Sequence, residues 1–198
     1  MKLQKVFLFL INLPRKLRSK IYYWVCLHSI LSVGNNFRVG EDVSVHGGAY
    51  IRIGNSFTAG HHLKLHAWDV YNNAPTGFTP SIEIGNNVSI LDNCQISCAR
   101  KIRIGNNVLI GPNVLITDNF HGDASVDNLA IAPLDRMLVS KGGVEIGDNV
   151  WIGRNVCIMP GVRIGDGCII GANAVVTHDI SANCVAVGVP ARIISEMK

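Results

Sequence analysis

The sequence predicts a mainly β solenoid, in which short parallel strands stack into about six triangular coils. Three observations lead to this prediction. Over most of the 198-residue chain, aliphatic residues recur every six positions, glycine often follows them, and the fifth position is usually small or β-branched. A six-residue period fits neither a helix nor a simple alternating strand. It fits a short strand followed by a corner, so that three units close one triangular coil.

The six-residue repeat can be followed through most of the chain. The aliphatic side chains are expected to point inward and to build one continuous core, while Gly or Asn tolerates the positive φ that a tight corner requires. Two eight-residue steps, Val45 to Ile53 and Ile96 to Ile104, indicate wider corners. The runs are Val33, Val39 and Val45; Ile53, Ala59 and Leu65; Ile84, Ile90 and Ile96; Ile104, Ile110 and Ile116; and Ile146, Ile152, Ile158, Ile164, Ile170 and Val176, followed by Ile180.

The repeat divides the chain into three parts. We predict an amphipathic helical segment at residues 1–32, the solenoid at 33–187 and a short helix or tail at 188–198, with loops inserted at 68–80 and 117–143. The first apolar run, Val6 to Leu13, is too short to span a bilayer, and basic residues follow it where a signal peptide would have a cleavage site. Residues 1–32 therefore either pack against the rest of the protein or attach to an anionic membrane surface.

The composition narrows the classes of partner. Only 16% of the residues are charged, against about 25% in typical soluble proteins, which favours an oligomer. The net charge of +4 comes without a long basic stripe, so nucleic acid is a poor candidate partner. The six cysteines form no CxxC pair and are expected to be reduced, in a cytoplasmic protein that contacts the inner membrane face if residues 1–32 attach there. Cys94, Cys168 and Cys184 occupy the small inward position and are predicted core residues.

The most regular part of the chain carries a family resemblance. The stretch IGDNVWIGRNVCIMPGVRIGDGCIIGANAVVTHDISANCVAVGVPARII, Ile146 to Ile194, resembles the C-terminal half of the maltose, galactoside and nodulation-type O-acetyltransferases and of surface-polysaccharide acetyltransferases. These are hexapeptide-repeat acyltransferases, which fold as left-handed parallel β-helices. The resemblance extends from about residue 33 onward. It implies a homotrimer that uses acetyl-CoA, without a metal, to acetylate a hydroxyl of a sugar or saccharide.

Two parts of the sequence depart from this family pattern. The maltose and galactoside enzymes begin with a different helical segment, and the insertion from Trp68 to Pro80 has no recognised counterpart. Acceptors bind near such variable parts, so the identity of the acceptor stays open.

The stretch TDNFHGD, Thr117 to Asp123, interrupts the repeat and contains the candidate catalytic residue. A histidine suits proton removal from a hydroxyl because its unperturbed pKa of about 6.5 lies near working pH. In the resembled family the catalytic histidine occupies this place, after the strand that follows a GPNV-like unit. We therefore predict that His121 is the general base, the alternative being a solvated loop histidine. Its ring could be oriented by Asp118, Asn119 or Asp123, among which the sequence does not choose.

Candidate acceptor contacts are Asp92, Asn93 and Asn119. The first two match an N-x-N pattern of the related sugar enzymes only in part, because Leu91 stands at its first position. Turn formation is the alternative role for Asp92 and Asn93.

Coenzyme A is expected, by resemblance, in a groove between neighbouring solenoids. Small residues at the corners would let its pantetheine arm approach the backbone, and cations would meet its phosphates. His178 replaces a lysine of the family, which would weaken a phosphate contact at neutral pH. Ordinary corner and surface roles are the alternative for these residues, and Trp151, at an outward position, is expected in a subunit interface. The candidate cofactor residues are Gly153, Arg154, Gly171, Ala172, Thr177, His178 and Arg192.

Three other functions compete with this interpretation. N-acetylation of an amino sugar would need the same base and thioester. A γ-class carbonic anhydrase would bind zinc through His61, His66 and His121, but in that class the close pair follows the lone histidine, whereas here it precedes it. A structural solenoid that only scaffolds partners would not need the histidine loop or the VGVPAR ending.

Overall fold

The structure is a computed structural model that describes residues 15–197, so the apolar run from Val6 to Leu13 lies outside the described residues. One helix, α1 (Arg15–Ser29), precedes three sheets, which are parallel except for the last strand of the second sheet. The first sheet contains β1 (Ser32–Val33), β4 (Ile51–Ile53), β9 (Ser81–Ile84), β12 (Lys101–Ile104), β17 (Val144–Ile146) and β20 (Arg163–Ile164). The second contains β2 (Arg38–Val39), β5 (Thr58–Ala59), β10 (Ser89–Ile90), β13 (Leu109–Ile110), β18 (Trp151–Ile152), β21 (Ile169–Ile170), β23 (Cys184–Val187) and β24 (Arg192–Glu196). The third contains β3 (Ser44–His46), β6 (Lys64–Ala67), β11 (Gln95–Cys98), β14 (Leu115–Thr117), β19 (Cys157–Ile158) and β22 (Val175–Val176).

Each coil contributes one strand to each sheet. Six coils run from β1 to β22, and each strand pairs in parallel with the equivalent strand of the next coil. Ile180, which bridges to Ile164, and β23 begin a seventh. The predicted parallel β-helix of about six coils is confirmed. Of the predicted C-terminal helix or tail, the structure excludes the helix: β24 pairs antiparallel with the free edge of β23, where the β-branched Ile193 and Ile194 favour a strand.

The aliphatic repeat positions build the core. Ile104, Ile152 and Ile158 are buried, with exposed fractions of 1% or less, and their counterparts in the inner coils are buried as well. Cys94, Cys168 and Cys184 are buried among them, as the repeat predicts. Burial raises the pKa of the Cys94 and Cys168 thiols, which suits packing rather than redox chemistry.

Two of the three corners in each coil are regular. The first corner joins the first sheet to the second, and the second corner joins the second sheet to the third. Both place a residue at positive φ, usually asparagine, whose short polar side chain tolerates this conformation. The amides also stack from coil to coil, as where Asn113 Nδ2 donates to Asn155 Oδ1 at 2.9 Å and Asn155 Nδ2 to Asn173 Oδ1 at 2.9 Å. The positive-φ asparagines of these corners are Asn36, Asn87, Asn93, Asn107, Asn113, Asn149, Asn155, Asn173 and Asn183.

The third corner, between the third and first sheets, carries the irregular segments. The first excursion, residues 68–80, leaves the second coil and contains the hairpin of β7 (Val70–Tyr71) and β8 (Ala74–Pro75). The second excursion, residues 118–143, leaves the fourth coil and contains β15 (Phe120–His121), two 3-10 turns (Val126–Ala130 and Pro133–Asp135) and β16 (Leu138–Val139). A further 3-10 turn (Gly48–Tyr50) occupies this corner in the first coil. Both excursions therefore lie on one side of the solenoid.

The outward faces of the sheets differ in chemistry. Cross-strand neighbours on the first sheet alternate in charge. On the second sheet, cross-strand neighbours from β13 to β23 are apolar, with Trp151 52% exposed. The charged series is Arg52, Glu83, Arg103, Glu145 and Arg163. The apolar series is Leu109, Trp151, Ile169 and Val185.

The helix α1 packs against the first coil. Tyr23 Oη donates to Phe37 O at 3.1 Å, and the two ring centroids are 6.0 Å apart. Within residues 15–197, no helix is both long and apolar enough to cross a membrane.

Candidate active site

His121 lies at the start of the second excursion, on a short strand that backbone pairing holds in place. β15 pairs antiparallel with β16, with His121 opposite Leu138, and Gly122 N–H donates to Met137 O at 2.9 Å. Gly122 has φ +75°, and a Cβ there would lie 2.8 Å from Arg136 Cδ, so a glycine is needed immediately after the histidine. The imidazole is exposed. The ring is thus presented to solvent from a defined backbone.

Asp118 anchors the second excursion to the short corner of the preceding coil. Its carboxylate is fully buried and accepts hydrogen bonds from the backbone N–H groups of Ala99 at 2.6 Å and of Arg100 and Lys101 at 2.8 Å each. Asn119 Nδ2 donates to Ser97 O at 2.9 Å. These two side chains hold the backbone beneath His121 and do not contact its ring.

Asp123 is also engaged elsewhere. Its carboxylate accepts from the Ser125 N–H at 3.1 Å and from Asn128 Nδ2. The Ser125 side chain, followed by these two hydrogen bonds, lowers the Asp123 pKa. The expectation that Asp118, Asn119 or Asp123 orients the His121 ring is therefore wrong for this structure. Each of the three stabilises the backbone of the excursion instead.

The residue that contacts the His121 ring comes from the first excursion. Tyr71 Oη lies 3.1 Å from His121 Nδ1, and the ring centroids are 5.4 Å apart. The same hydroxyl donates to Leu134 O at 2.9 Å, and Asn72 Nδ2 donates to that carbonyl at 2.7 Å. The two excursions are thus joined at Leu134. Sequence reasoning missed Tyr71, although both insertions interrupt the third corner, and that shared position was the available signal.

Aromatic and imidazole rings continue from Tyr71 along the side of the solenoid. We call His46, His66, Trp68 and Tyr71 the ring row. Trp68 contacts the other three rings: its centroid lies 4.5 Å from that of His46, 5.3 Å from that of His66 and 6.0 Å from that of Tyr71. Trp68 Nε1 donates to Ser97 Oγ at 3.0 Å. Partial burial lowers the pKa of His66, and the nearby His46 and Lys64 lower it further. Such a surface offers apolar faces with polar groups between them, as small-molecule sites do.

Asp92 and Asn93 lie at the second corner of the third coil. Asp92 Oδ1 accepts from the His61 N–H at 2.7 Å, and Asn93 has φ +59°, so both residues form the corner. The four-residue strand β11 separates this corner from the third corner by about 13 Å. Within one chain, Asp92 and Asn93 therefore do not meet His121, which is on the other side of the third sheet.

The candidate cofactor residues flank the third sheet in the fifth and sixth coils. Gly153, Arg154, Gly171 and Ala172 are on the second corner, and Thr177 and His178 on the third. A Cβ at Gly153 would lie 2.7 Å from Ala172 N, and one at Gly171 2.6 Å from Val187 Cγ1. Coil stacking therefore accounts for both glycines without reference to a ligand.

The remaining cofactor candidates are exposed side chains. Thr177 Oγ1 is 2.8 Å from His178 Nδ1. Arg192 begins β24 and donates through Nη1 to Ala191 O at 2.8 Å, which leaves other guanidinium N–H groups for a ligand. Arg154 has an exposed guanidinium on the same coil as Gly153. Both candidate arginines, Arg154 and Arg192, are thus exposed on the last coils.

The histidines of the carbonic anhydrase alternative are separated within one chain. His61 Nδ1 accepts from the Glu41 N–H at 3.0 Å at a corner, whereas His66 Nε2 pairs with Ser44 Oγ at 3.0 Å in the third sheet. From residue 15 to residue 197, no three His, Cys, Asp or Glu side chains form a group that could hold a metal ion.

Comparisons with known proteins define the class to which this architecture belongs. Residues 143–178 match the family described as bacterial transferase hexapeptide (six repeats). A putative lipopolysaccharide biosynthesis O-acetyl transferase of Escherichia coli K12, WbbJ, is 35% identical over 149 residues, which are 74% of this chain and 71% of WbbJ. The chain belongs to the hexapeptide-repeat transferases, and within them to the acetyltransferases. Several other curated relatives are matched over only about half of their own length.

Solved structures agree with this assignment. A maltose O-acetyltransferase from Clostridium difficile 630 has a TM-score of 0.57 and 28% identity, with 98% of this chain and 84% of that chain covered. The N-acyltransferase AntD from Bacillus cereus, solved with dTDP and 3-hydroxybutyryl-CoA, has a TM-score of 0.72, with 89% and 88% covered. Its 22% identity shows the fold alone. The predicted left-handed β-helix and the predicted acetyltransferase class are confirmed.

Proposed function

We propose that this protein transfers the acetyl group of acetyl-CoA to a hydroxyl of a sugar or saccharide, with His121 as general base. The observation that carries the proposal is the exposed His121 ring, fixed on β15 where the fourth coil releases the chain. WbbJ and the Clostridium difficile enzyme, whose names specify O-acetyl transfer, support the hydroxyl acceptor. The ring row beside His121 supports a saccharide, because its faces can contact the CH groups of a sugar ring.

The chemistry requires His121 to accept one proton and then to release it. As the acceptor oxygen bonds to the thioester carbonyl carbon, its proton passes to the imidazole. When the tetrahedral intermediate collapses, the carbon–sulfur bond breaks and the imidazolium proton goes to the leaving thiolate. A general base of this kind contributes roughly 10²–10⁴-fold to the rate.

We propose that the active form is a homotrimer. The apolar series on the second sheet and exposed side chains of the second excursion, such as Val126 at 80%, support contact with other copies of the chain. The position of Asp92 and Asn93 supports it as well, because they can join His121 and Asn119 at one acceptor site only across an interface. In the same groove, coenzyme A would lie against Gly153, Ala172 and Thr177, with its phosphates near Arg154, His178 and Arg192.

We also propose that α1 contacts an anionic membrane surface from the cytoplasmic side. Leu17, Trp24 and Val25 are exposed and share one helical face by their spacing of seven and eight residues. Sedimentation with vesicles that contain anionic lipid tests this contact. A Trp24→Ala and Val25→Ala double variant should bind them less than the unaltered protein, and equal binding would contradict the contact.

An acceptor screen tests the proposed reaction. Thiol release from acetyl-CoA would be measured with sugars, nucleotide-sugars, lipid-linked saccharides and their amino-sugar counterparts. Activity with amino sugars alone would establish N-acetylation in place of O-acetylation. His121→Ala should abolish transfer and leave the oligomer intact. His28→Ala, at an exposed histidine on α1, should retain transfer activity. Unaltered activity of His121→Ala would remove the assignment of the base.

The cofactor groove has its own test. Arg192→Ala should raise the KM for acetyl-CoA far more than the KM for the acceptor, because a guanidinium that meets phosphates is lost. An unchanged KM for acetyl-CoA would contradict the assignment of Arg192.

A further inference from the structure

We propose that Tyr71 is a positioning residue that fixes His121 in the Nδ1–H tautomer, so that Nε2 carries the lone pair that accepts the acceptor proton. The proposal rests on the proposed function and names the group that orients its base. It also assigns a role to the first excursion, which has no recognised counterpart in the resembled family.

The tautomer follows from a count of hydrogens. A phenol hydroxyl has one hydrogen, and a backbone carbonyl can only accept. Since Tyr71 Oη is 2.9 Å from Leu134 O, the hydroxyl hydrogen points to that carbonyl. Only lone pairs of Oη then remain for His121 Nδ1 at 3.1 Å, so Nδ1 must donate. In neutral imidazole one nitrogen is protonated, and Nε2 is therefore the free base.

The same contact suits both charge states of the ring. When Nε2 takes the proton, both ring nitrogens are donors, and the bond from Nδ1–H to Tyr71 persists. In a Ser-His-Asp triad a carboxylate fixes the tautomer from this side and stabilises the imidazolium. Here a neutral hydroxyl, polarised by its own bond to Leu134, takes that place. The ring therefore does not need to turn during the reaction.

Tyr71 is itself held from several sides. Its ring packs edge-on against Trp68, with centroids 6.0 Å apart and planes at 88°. Thr76 Oγ1 donates to Trp68 O at 2.9 Å and closes the base of the hairpin. Asn72 Nδ2 shares the Leu134 carbonyl at 2.7 Å. The hydroxyl thus has a fixed position relative to the second excursion.

The decisive measurement is the protonation of the two ring nitrogens of His121, read by ¹⁵N NMR of the full-length protein above pH 8. The unaltered protein should show a protonated Nδ1 and an unprotonated Nε2. Tyr71→Phe keeps the ring contacts and removes only the hydroxyl, so the signals should shift toward the Nε2–H form that free imidazole prefers. Tyr50→Phe is the matched control, because Tyr50 Oη bonds to Asp69 at 3.1 Å and not to His121. It should leave the His121 signals unchanged.

Kinetics supply a second readout once an acceptor is known. Tyr71→Phe should lower kcat roughly tenfold, as expected for loss of one orienting hydrogen bond, and leave the KM for acetyl-CoA unchanged. A predominant Nε2–H form in the unaltered protein, or equal spectra and equal kcat in Tyr71→Phe, would overturn the proposal. The NMR result does not depend on acetyl transfer. Absence of transfer to every acceptor would overturn the proposed function and leave the tautomer assignment standing.

Discussion

Replacement of Asp118 by alanine should destabilise the protein strongly. The Asp118 carboxylate is fully buried and is the acceptor for the N–H groups of Ala99, Arg100 and Lys101. Hydrogen bonds to a charged group contribute about 1.5–3 kcal/mol each, and a buried donor left without a partner costs about 1–3 kcal/mol. At the lower figure, three lost bonds reduce the free energy of unfolding by roughly 4–5 kcal/mol, which is exceptional for one substitution.

Urea unfolding would measure this change. The protein concentration is kept fixed because association of the proposed trimer would also contribute to stability. Asp123→Ala is the matched control. It removes an exposed carboxylate five residues after Asp118, at the end of the same TDNFHGD segment, and should have a much smaller effect. If Asp118→Ala does not fold, Asp118→Asn, which keeps one acceptor oxygen, should unfold at a urea concentration below that of the unaltered protein. Equal urea midpoints for the Asp118 variants and Asp123→Ala would refute the reasoning.

Two further predictions concern the third and second sheets. The pKa of His66 should lie below its ordinary value of about 6.5, because partial burial and the nearby His46 and Lys64 disfavour the imidazolium. As the pH falls below about 6.5, the unfolded chain takes up this proton first, so the free energy of unfolding decreases until the pH passes the folded-state pKa. NMR titration of the His66 ring and urea unfolding check this prediction. An equal decrease in the free energy of unfolding at low pH in His66→Asn and in the unaltered protein would contradict it. Trp151→Glu should dissociate the proposed trimer, as measured by light scattering, because it places a charge within the apolar series. Arg163→Ala, on the charged first sheet, should leave the trimer intact. An intact trimer of Trp151→Glu would exclude the second sheet as the interface.

The coils were predictable because the information that specifies them is local and repeated. Each unit carries its own inward aliphatic residue and its own corner residue. The repeat can therefore be recognised even where one unit departs from the pattern, because the neighbouring units fix the register. Asn113, for example, has positive φ and stacks on Asn155 as a corner residue should. The same register placed His121 at the point where the chain leaves the third sheet.

The partners of His121 were not predictable in the same way. The contact with Tyr71 joins two insertions fifty positions apart in sequence, and their paths do not follow the six-residue repeat. Sequence proximity suggested Asp118, Asn119 and Asp123 equally. The Asp118 side chain, however, is buried and accepts from three N–H groups of a short corner. The strand β24 escaped prediction because its pairing depends on the free edge of β23.

The position of β24 links the protection of a sheet edge to the proposed binding of the cofactor. An open edge of a parallel sheet presents unpaired N–H and C=O groups and can pair with another molecule. β24 runs antiparallel along the edge of β23 and satisfies those groups, so molecules are kept from joining end to end through the second sheet. Arg192, proposed to meet the phosphates of coenzyme A, is the first residue of this strand. If Arg192 has this proposed role, changes that loosen the strand should weaken cofactor binding and promote polymerisation together.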